Sequence, residues 1–221
     1  MMTTEETLKH LNQEIDAALL TYEQKNDLDK ALEAYRNVES QLRALNLSSE
    51  DAAYESFQAI LAYCLLRQVN LLRQMGKAGE ANELGIKEIA AARASGDQLA
   101  LARSLLSYGA SMIANDDKEK GAAYMQEARI LFEQGQSEDY QQGLGWYWIM
   151  CADLMNAGII SAHFLEVIET ANEAMDILLP IKNWPGVARA YEARAKAYEG
   201  LGEKQKAESD RRAKAKYEKM V

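Results

Sequence analysis

Two histidines, His10 and His163, are the residues of this sequence whose chemistry is most versatile near neutral pH. They lie far apart in the chain and neither belongs to an HExxH pattern, so we expect no metal site. Glu166 and Glu169 follow His163 on the same predicted helix, and such a group could in principle perform acid–base catalysis. Carboxylates three residues apart are more typical of a solvated helix face. Because the sequence also contains no P-loop and no GxSxG motif, we expect neither enzymatic activity nor a cofactor.

The cysteines and the charge of the chain indicate its compartment and exclude some partners. Cys64 and Cys151 lie in apolar stretches and form no CxxC pair, which is typical of buried thiols in a reducing compartment. The first residues lack the basic region and apolar core of a signal peptide. The formal net charge is −9, and an acidic protein repels the phosphate backbone of nucleic acids. We therefore expect a cytoplasmic protein that does not bind nucleic acid.

One apolar segment, residues 140–165, has a single charge, Asp153, and could be mistaken for a membrane span. Glycines and polar residues interrupt it, so two consecutive buried helices explain it better than a transmembrane helix. Within this segment, Trp146-Tyr147-Trp148 continues into Ile149 and Met150, and five apolar residues in a row cover the whole circumference of a helix. This pattern favours a central core helix. The alternative is that one tryptophan faces a groove or a second subunit, where aromatic side chains act as anchors.

The elements that carry these residues are predicted to be helices throughout. Hydrophobic residues make up 48% of the chain and there are 2 prolines, while no segment alternates polar and apolar residues over the length of a strand. Capping signals predict ten helices joined by short connections, and sequential helices should therefore lie antiparallel. The predicted signals for helix starts are Thr3 with Glu6, Ser48-Ser49, Ser95-Gly96-Asp97, Asp116 with Glu119, and Asn183-Trp184-Pro185. The predicted helix ends lie near Gln24, Leu45, Ala94, Asn115, Asn156 and Pro180. The tenth helix is predicted over residues 203–219.

Four pairs of positions repeat with one spacing, in which a small residue follows a large one by nine positions. These pairs are Tyr22 and Ala31, Leu72 and Ala81, Met112 and Gly121, and Tyr198 and Ala207.

The pattern resembles the tetratricopeptide repeat (TPR), in which W-x2-L-G-x2-Y precedes A-x3-F, and Tyr108-Gly109 retains the glycine of that pattern. The landmarks Ala31, Ala81 and Gly121 are 50 and 40 residues apart, against 34 in the family, so longer helices are expected. The same offset from Leu154 reaches His163, which is too large for a close crossing, so the fourth hairpin should open differently.

The resemblance implies one all-α, TPR-like repeat domain over residues 1–221, a right-handed α-α superhelix (solenoid) of about five antiparallel helical hairpins. In TPR proteins the first helix of each hairpin lines a concave groove that binds the partner. Carried onto this sequence, the resemblance assigns this groove to Tyr63, Arg67 and Asn70 in the third helix, Arg103 and Ser107 in the fifth, Trp148 in the seventh, and Arg189 and Lys196 in the ninth.

A basic, partly aromatic lining favours an acidic or C-terminal peptide. We therefore predict a protein- or peptide-binding scaffold without a membrane partner, and the sequence leaves homo-oligomerisation open. Two alternatives are a regulatory solenoid that senses a peptide by changing its curvature and an all-α enzyme with a site near Trp148, Cys151 and His163.

Overall fold

The structure is a computed structural model that describes residues 2–220, and within these residues all regular elements are helical. A short 3-10 helix, Glu23–Lys25, follows the first α-helix. The α-helices are α1 (Thr4–Thr21), α2 (Leu28–Ala44), α3 (Tyr54–Gln74), α4 (Ala78–Ala94), α5 (Gln98–Ala114), α6 (Lys118–Gln134), α7 (Glu138–Asn156), α8 (Phe164–Leu178), α9 (Trp184–Gly200) and α10 (Lys204–Glu218).

Three of the predicted helix starts are confirmed by their hydrogen bonds. The Thr3 N–H donates to Glu6 Oε2 at 2.7 Å and the Glu6 N–H donates to Thr3 Oγ1 at 3.2 Å, which is the reciprocal capping box. Asp97 Oδ1 accepts from backbone N–H groups in the first turn of α5 at 2.9 and 3.0 Å. Asn183 accepts from the Gly186 N–H at 2.8 Å, and a proline stands in the first turn of α9, where its missing N–H leaves no bond unmade.

Two predicted helix starts are wrong, and local hydrogen bonding explains both. The Ser48 N–H and hydroxyl donate to Asp51 Oδ2 at 2.8 and 2.9 Å, and this turn delays the start of α3 to Tyr54. Asp116 has a φ of 73° and lies in the left-handed region, so it cannot serve as the N-cap of α6. Asp117 occupies that position and makes no side-chain capping hydrogen bond.

The repeat is explained by the fourth residue of each second helix. Ala31, Ala81 and Ala207 occupy this position in α2, α4 and α10, and all three are fully buried. Residues 157–163 form a longer connection after α7, so the fourth residue of α8 is Val167. Val167 is also buried. His163 is the N-cap of α8, which confirms that the fourth hairpin opens differently.

Contacts divide the chain into two compact units, an N-terminal unit that ends at Tyr108 and a C-terminal unit that begins at Gly109. The boundary lies inside α5. A single domain over residues 1–221 stays a prediction, and its terminal residues, Met1 and Val221, lie outside the described residues. In the C-terminal unit a core cluster joins α7, α8 and α9 through Ile149, Ala174, Met175, Leu178, Val187 and Ala190.

Candidate partner-binding surfaces

Arg67 of α3 lies against Glu23, which belongs to the 3-10 helix after α1. Its Nε lies 3.1 Å from Glu23 Oε2, and its Nη2 pairs with Oε1 of the same carboxylate. The Tyr35 hydroxyl donates to Glu23 Oε2 at 2.7 Å. Burial opposes the positive charge of Arg67, but Glu23 and Tyr35 outweigh it, so the pKa of Arg67 is raised above its usual value. Both oxygens of one carboxylate therefore hold the guanidinium in a fixed orientation.

The other predicted side chains of the N-terminal unit belong to α3 and α5. The Tyr63 hydroxyl donates to Asp16 Oδ1 of α1 at 3.3 Å, and burial raises the pKa of Tyr63. Asn70 of α3 and Arg103 of α5 are half-buried. The structure thus brings Tyr63 and Arg67, one helical turn apart, to carboxylates near α1. We call Tyr63, Arg67, Asn70 and Arg103 the Arg67 surface.

In the C-terminal unit, Arg189 of α9 links two helices through a chain of charges. Its Nε and Nη2 lie 3.2 and 2.9 Å from Asp153 Oδ2 on α7, and its Nη1 lies 2.9 Å from Glu192 Oε2. Glu192 also lies 3.6 Å from Lys196 Nζ. Burial dominates at Asp153 and raises its pKa despite the nearby guanidinium, whereas Asp153 and Glu192 together overcome burial at Arg189 and raise its pKa. Arg189 and Lys196 are therefore both paired with Glu192.

Trp148 lies on the same helix as Asp153 and is half-buried. Its ring contacts Tyr147 edge to face, with centroids 5.0 Å apart, and the Arg129 guanidinium lies 6.0 Å from its centroid. Trp146 and Trp148 both pack against the core cluster of α7, α8 and α9, while Tyr147 is buried. The aromatic run therefore contributes to the core, and Trp148 keeps part of its surface exposed. We call the predicted groove residues of the C-terminal unit, Trp148, Arg189 and Lys196, the Arg189 surface.

Cys151 and His163, two residues of the alternative enzyme site, contact neighbours on their own helices. Burial raises the pKa of Cys151 to about 11, against a hydrogen bond from Tyr147, so its thiol stays protonated at neutral pH. His163 is exposed at the start of α8, where its N–H donates to Glu166 Oε2 at 2.8 Å. Glu166 is therefore a helix-capping residue. Among residues 2–220, no three His, Cys, Asp or Glu side chains form a group that could hold a metal ion.

Sequence reasoning missed the carboxylates that hold the two arginines. Asp153 carried a usable signal, because a lone charge in an apolar helix needs a partner when it is buried. Glu23 carried none, since it follows α1 in a polar connection and its pairing with Arg67 arises only from the packing of α3 on the first hairpin.

None of the helices in the described residues is both long and apolar enough to cross a membrane.

No protein-family model matches this chain, and no curated protein matches it either. Several solved structures, in contrast, match this chain in fold. BtubC (BKLC) from P. vanneervenii has a TM-score of 0.64 at 14% identity, covering 100% of this chain and 92% of that chain. A Podosopora anserina putative kinesin light chain with nearly identical TPR-like repeats has a TM-score of 0.56 at 16% identity, covering 96% of each chain. Nro1, a hypoxic regulator of sterol synthesis and nuclear import adaptor, has a TM-score of 0.55 at 15% identity, covering 97% of this chain and 75% of that chain.

These similarities identify the fold as that of the TPR-like helical repeat proteins. They confirm the predicted fold class, an all-α solenoid built from antiparallel helical hairpins, and the resemblance on which it rested. At identities this low they establish the fold alone.

Proposed function

We propose that this chain is a scaffold that binds a protein or peptide through the Arg67 surface and the Arg189 surface, and that it does not act by catalysis. One observation carries the proposal: both arginines are held by carboxylates of a neighbouring element while part of each side chain stays accessible. The exposed fraction is 20% for Arg67 and 39% for Arg189. Because their orientation is already fixed, little conformational entropy is lost when a partner binds. Arginine is also enriched among the residues that dominate binding energy at interfaces.

The fold supports this proposal by analogy. Nro1, which shares the fold, is a nuclear import adaptor, and an adaptor works by holding another protein. The analogy concerns the kind of activity and not the partner. The free, buried cysteines are in keeping with a reducing compartment, and a cytoplasmic location remains part of the proposal.

We propose further that the partner presents carboxylates, either acidic side chains or a C-terminus. Such a group would compete with Glu23 for Arg67 and with Asp153 for Arg189, since these carboxylates already occupy the arginines. The internal carboxylates should therefore weaken binding and improve selectivity, because only a well-placed carboxylate can replace them. Binding should also weaken with added salt, since the Debye length is about 8 Å in physiological salt.

The test is a selection of random peptides displayed on phage against the intact protein, followed by calorimetric titration of an enriched peptide. Glu23→Gln should raise the affinity, because it removes the internal competitor of Arg67 while its amide oxygen can still accept from Tyr35. Arg67→Gln should lower it.

The matched control for Glu23→Gln is Glu80→Gln, which changes the net charge equally and breaks the exposed pair with Arg36. Equal gains in affinity from these two variants would reduce the effect to the general field of the protein and contradict a carboxylate site at Arg67. An enriched peptide whose affinity is unchanged by both Arg67→Gln and Arg189→Gln would overturn the assignment of the two surfaces.

A further inference from the structure

A buried glutamate and a half-buried arginine lie where α3, α4 and α5 meet in the N-terminal unit. Glu88 of α4 is 1% exposed. Arg73 of α3 is half-buried beside it, and its charge acts on Glu88. Glutamate and arginine are rarely buried to this extent unless they are paired, because removing an ionised group from water is costly.

The hydrogen bonding of this pair is incomplete. Arg73 Nη1 donates to the hydroxyl oxygen of Ser107 on α5. Its Nε and Nη2, together with Glu88 Oε1, are buried and have no hydrogen-bond partner among residues 2–220. Buried polar atoms of this kind are uncommon and call for a physical explanation. Arg73 is thus bound to Ser107 while the groups that could join it to Glu88 stay unused.

Burial disfavours the charge of Glu88 and so weakens its attraction for Arg73. Burial raises the pKa of Glu88 to about 7, against a hydrogen bond from Ser104 and the charge of Arg73. Burial lowers the pKa of Arg73, and Glu88 and Tyr108 act in the opposite direction. Since a guanidinium keeps its proton at any ordinary pH, the proton that responds to pH is the one on Glu88.

Packing makes Arg73 the member of the pair that can move. A Cβ atom added to Gly85, one turn before Glu88, would lie 2.6 Å from the ring of Tyr108, so α4 and α5 are in close contact. The backbone near Glu88 therefore has little room to shift. The long side chain of Arg73 can instead exchange its partner by rotating about its own bonds.

We propose that Glu88 is a proton-dependent switch in the packing of α3, α4 and α5. When Glu88 is neutral, Arg73 donates to Ser107, as it does in this structure. When Glu88 loses its proton to solvent, the carboxylate draws the Arg73 guanidinium away from Ser107 and forms an ion pair with it. Because Ser107 is one of the α5 residues that the resemblance assigns to the groove, the switch changes what this helix presents at the surface. The proposal does not depend on any partner.

The test is an NMR titration of the intact protein, with 13C-labelled glutamate side chains and 15N-labelled arginine side chains. Glu88→Gln assigns the Glu88 carboxyl signal, and the exposed Glu83→Gln on the same helix is the matched control. We expect the Glu88 signal to titrate near neutral pH, well above the usual glutamate value of about 4.3. The Arg73 Nε signal should move with the same midpoint, and this movement should vanish in Glu88→Gln and persist in Glu83→Gln.

The wild-type titration keeps the proposal testable even if Glu88→Gln does not fold. A Glu88 midpoint close to that of the exposed glutamates, or an Arg73 signal that ignores Glu88, would overturn it. Arg73→Met gives a second measurement, because loss of the positive charge should raise the Glu88 midpoint by about one unit. An unchanged midpoint in that variant would show that Arg73 and Glu88 do not act as a pair.

Discussion

Replacing Gly121 with alanine should destabilise the C-terminal unit, because two helices cross there with no room for a side chain. A Cβ atom on Gly121 would lie 2.6 Å from the carbonyl oxygen of Gly109, 2.6 Å from Ile113 Cγ1 and 2.8 Å from the Ile113 nitrogen. A Cβ atom on Gly109 would in turn lie 2.7 Å from the carbonyl oxygen of Gly121. Backbone atoms cannot rotate away, so α5 and α6 would have to separate.

Two opposing effects determine the size of the change. Alanine is favoured over glycine in a helix by about 1 kcal/mol. Overpacking a close contact costs about 1–3 kcal/mol, and contacts with backbone atoms belong at the upper end of that range. We therefore expect Gly121→Ala to lower the free energy of unfolding by about 1–2 kcal/mol. The control is Gly79→Ala in the first turn of α4, where a Cβ atom meets nothing within 4 Å. That variant should stabilise the protein by about 0.5 kcal/mol.

Urea unfolding followed by tryptophan fluorescence is the suitable assay, because all 3 tryptophans, Trp146, Trp148 and Trp184, lie in the C-terminal unit. Gly121→Ala should lower the midpoint without changing the slope of the transition. Gly79→Ala lies in the other unit and should be compared by circular dichroism. If Gly121→Ala matches wild type or raises the midpoint, the close crossing of α5 and α6 is wrong.

Three further variants test other parts of the structure. Asp210→Asn should lower the free energy of unfolding by about 2–4 kcal/mol, since Asp210 is 5% exposed and accepts two 2.8 Å hydrogen bonds from Arg194. Urea unfolding measures this loss. A loss no larger than that of an exposed ion pair would contradict the prediction. Asn183→Ala should cost about 1 kcal/mol by the same assay, because it removes the cap of α9. The folded protein favours the protonated form of Glu88, because the pKa of Glu88 is raised from 4.5 to about 7. This contribution to the free energy of unfolding is fully present below pH 4.5 and is lost as pH rises through about 7. Unfolding measured across this range should therefore show Glu88→Gln gaining about 3 kcal/mol on wild type, and a constant difference would contradict this.

The fold was predictable because local signals agreed with the tertiary structure. Caps such as Thr3 and Asn183 mark helix starts through bonds to their own first turn, which a sequence shows directly. The spacing rule worked in the three hairpins whose connection has three residues, as between α5 and α6, and in the first hairpin, where the connection contains the 3-10 helix. It failed at His163 because the longer connection moves the equivalent position to Val167. The connection before α8, and not the pattern of the helix itself, caused that error.

The candidate surfaces were predictable only in part. Arg67 and Arg189 were assigned to the groove by the resemblance, which places the first helix of each hairpin there. Their partners, Glu23 and Asp153, depend on which helices pack together, and this is a tertiary property. The burial of Glu88 was not predictable for the same reason, since α4 carries other glutamates that are exposed. The assignment of these surfaces to partner binding stays a prediction until it is measured.

The most direct test of the binding proposal is quantitative capture of proteins from a lysate of the source organism. Wild type should be compared by mass spectrometry with the double variant Arg67→Gln/Arg189→Gln. The matched control, Lys204→Gln/Lys216→Gln, removes the same charge from exposed positions of α10. We predict that at least one protein is retained by wild type and by the control and is lost from the arginine variant, with all three proteins equally folded. Retention of the same proteins by the arginine variant would contradict the proposal that these two surfaces bind the partner.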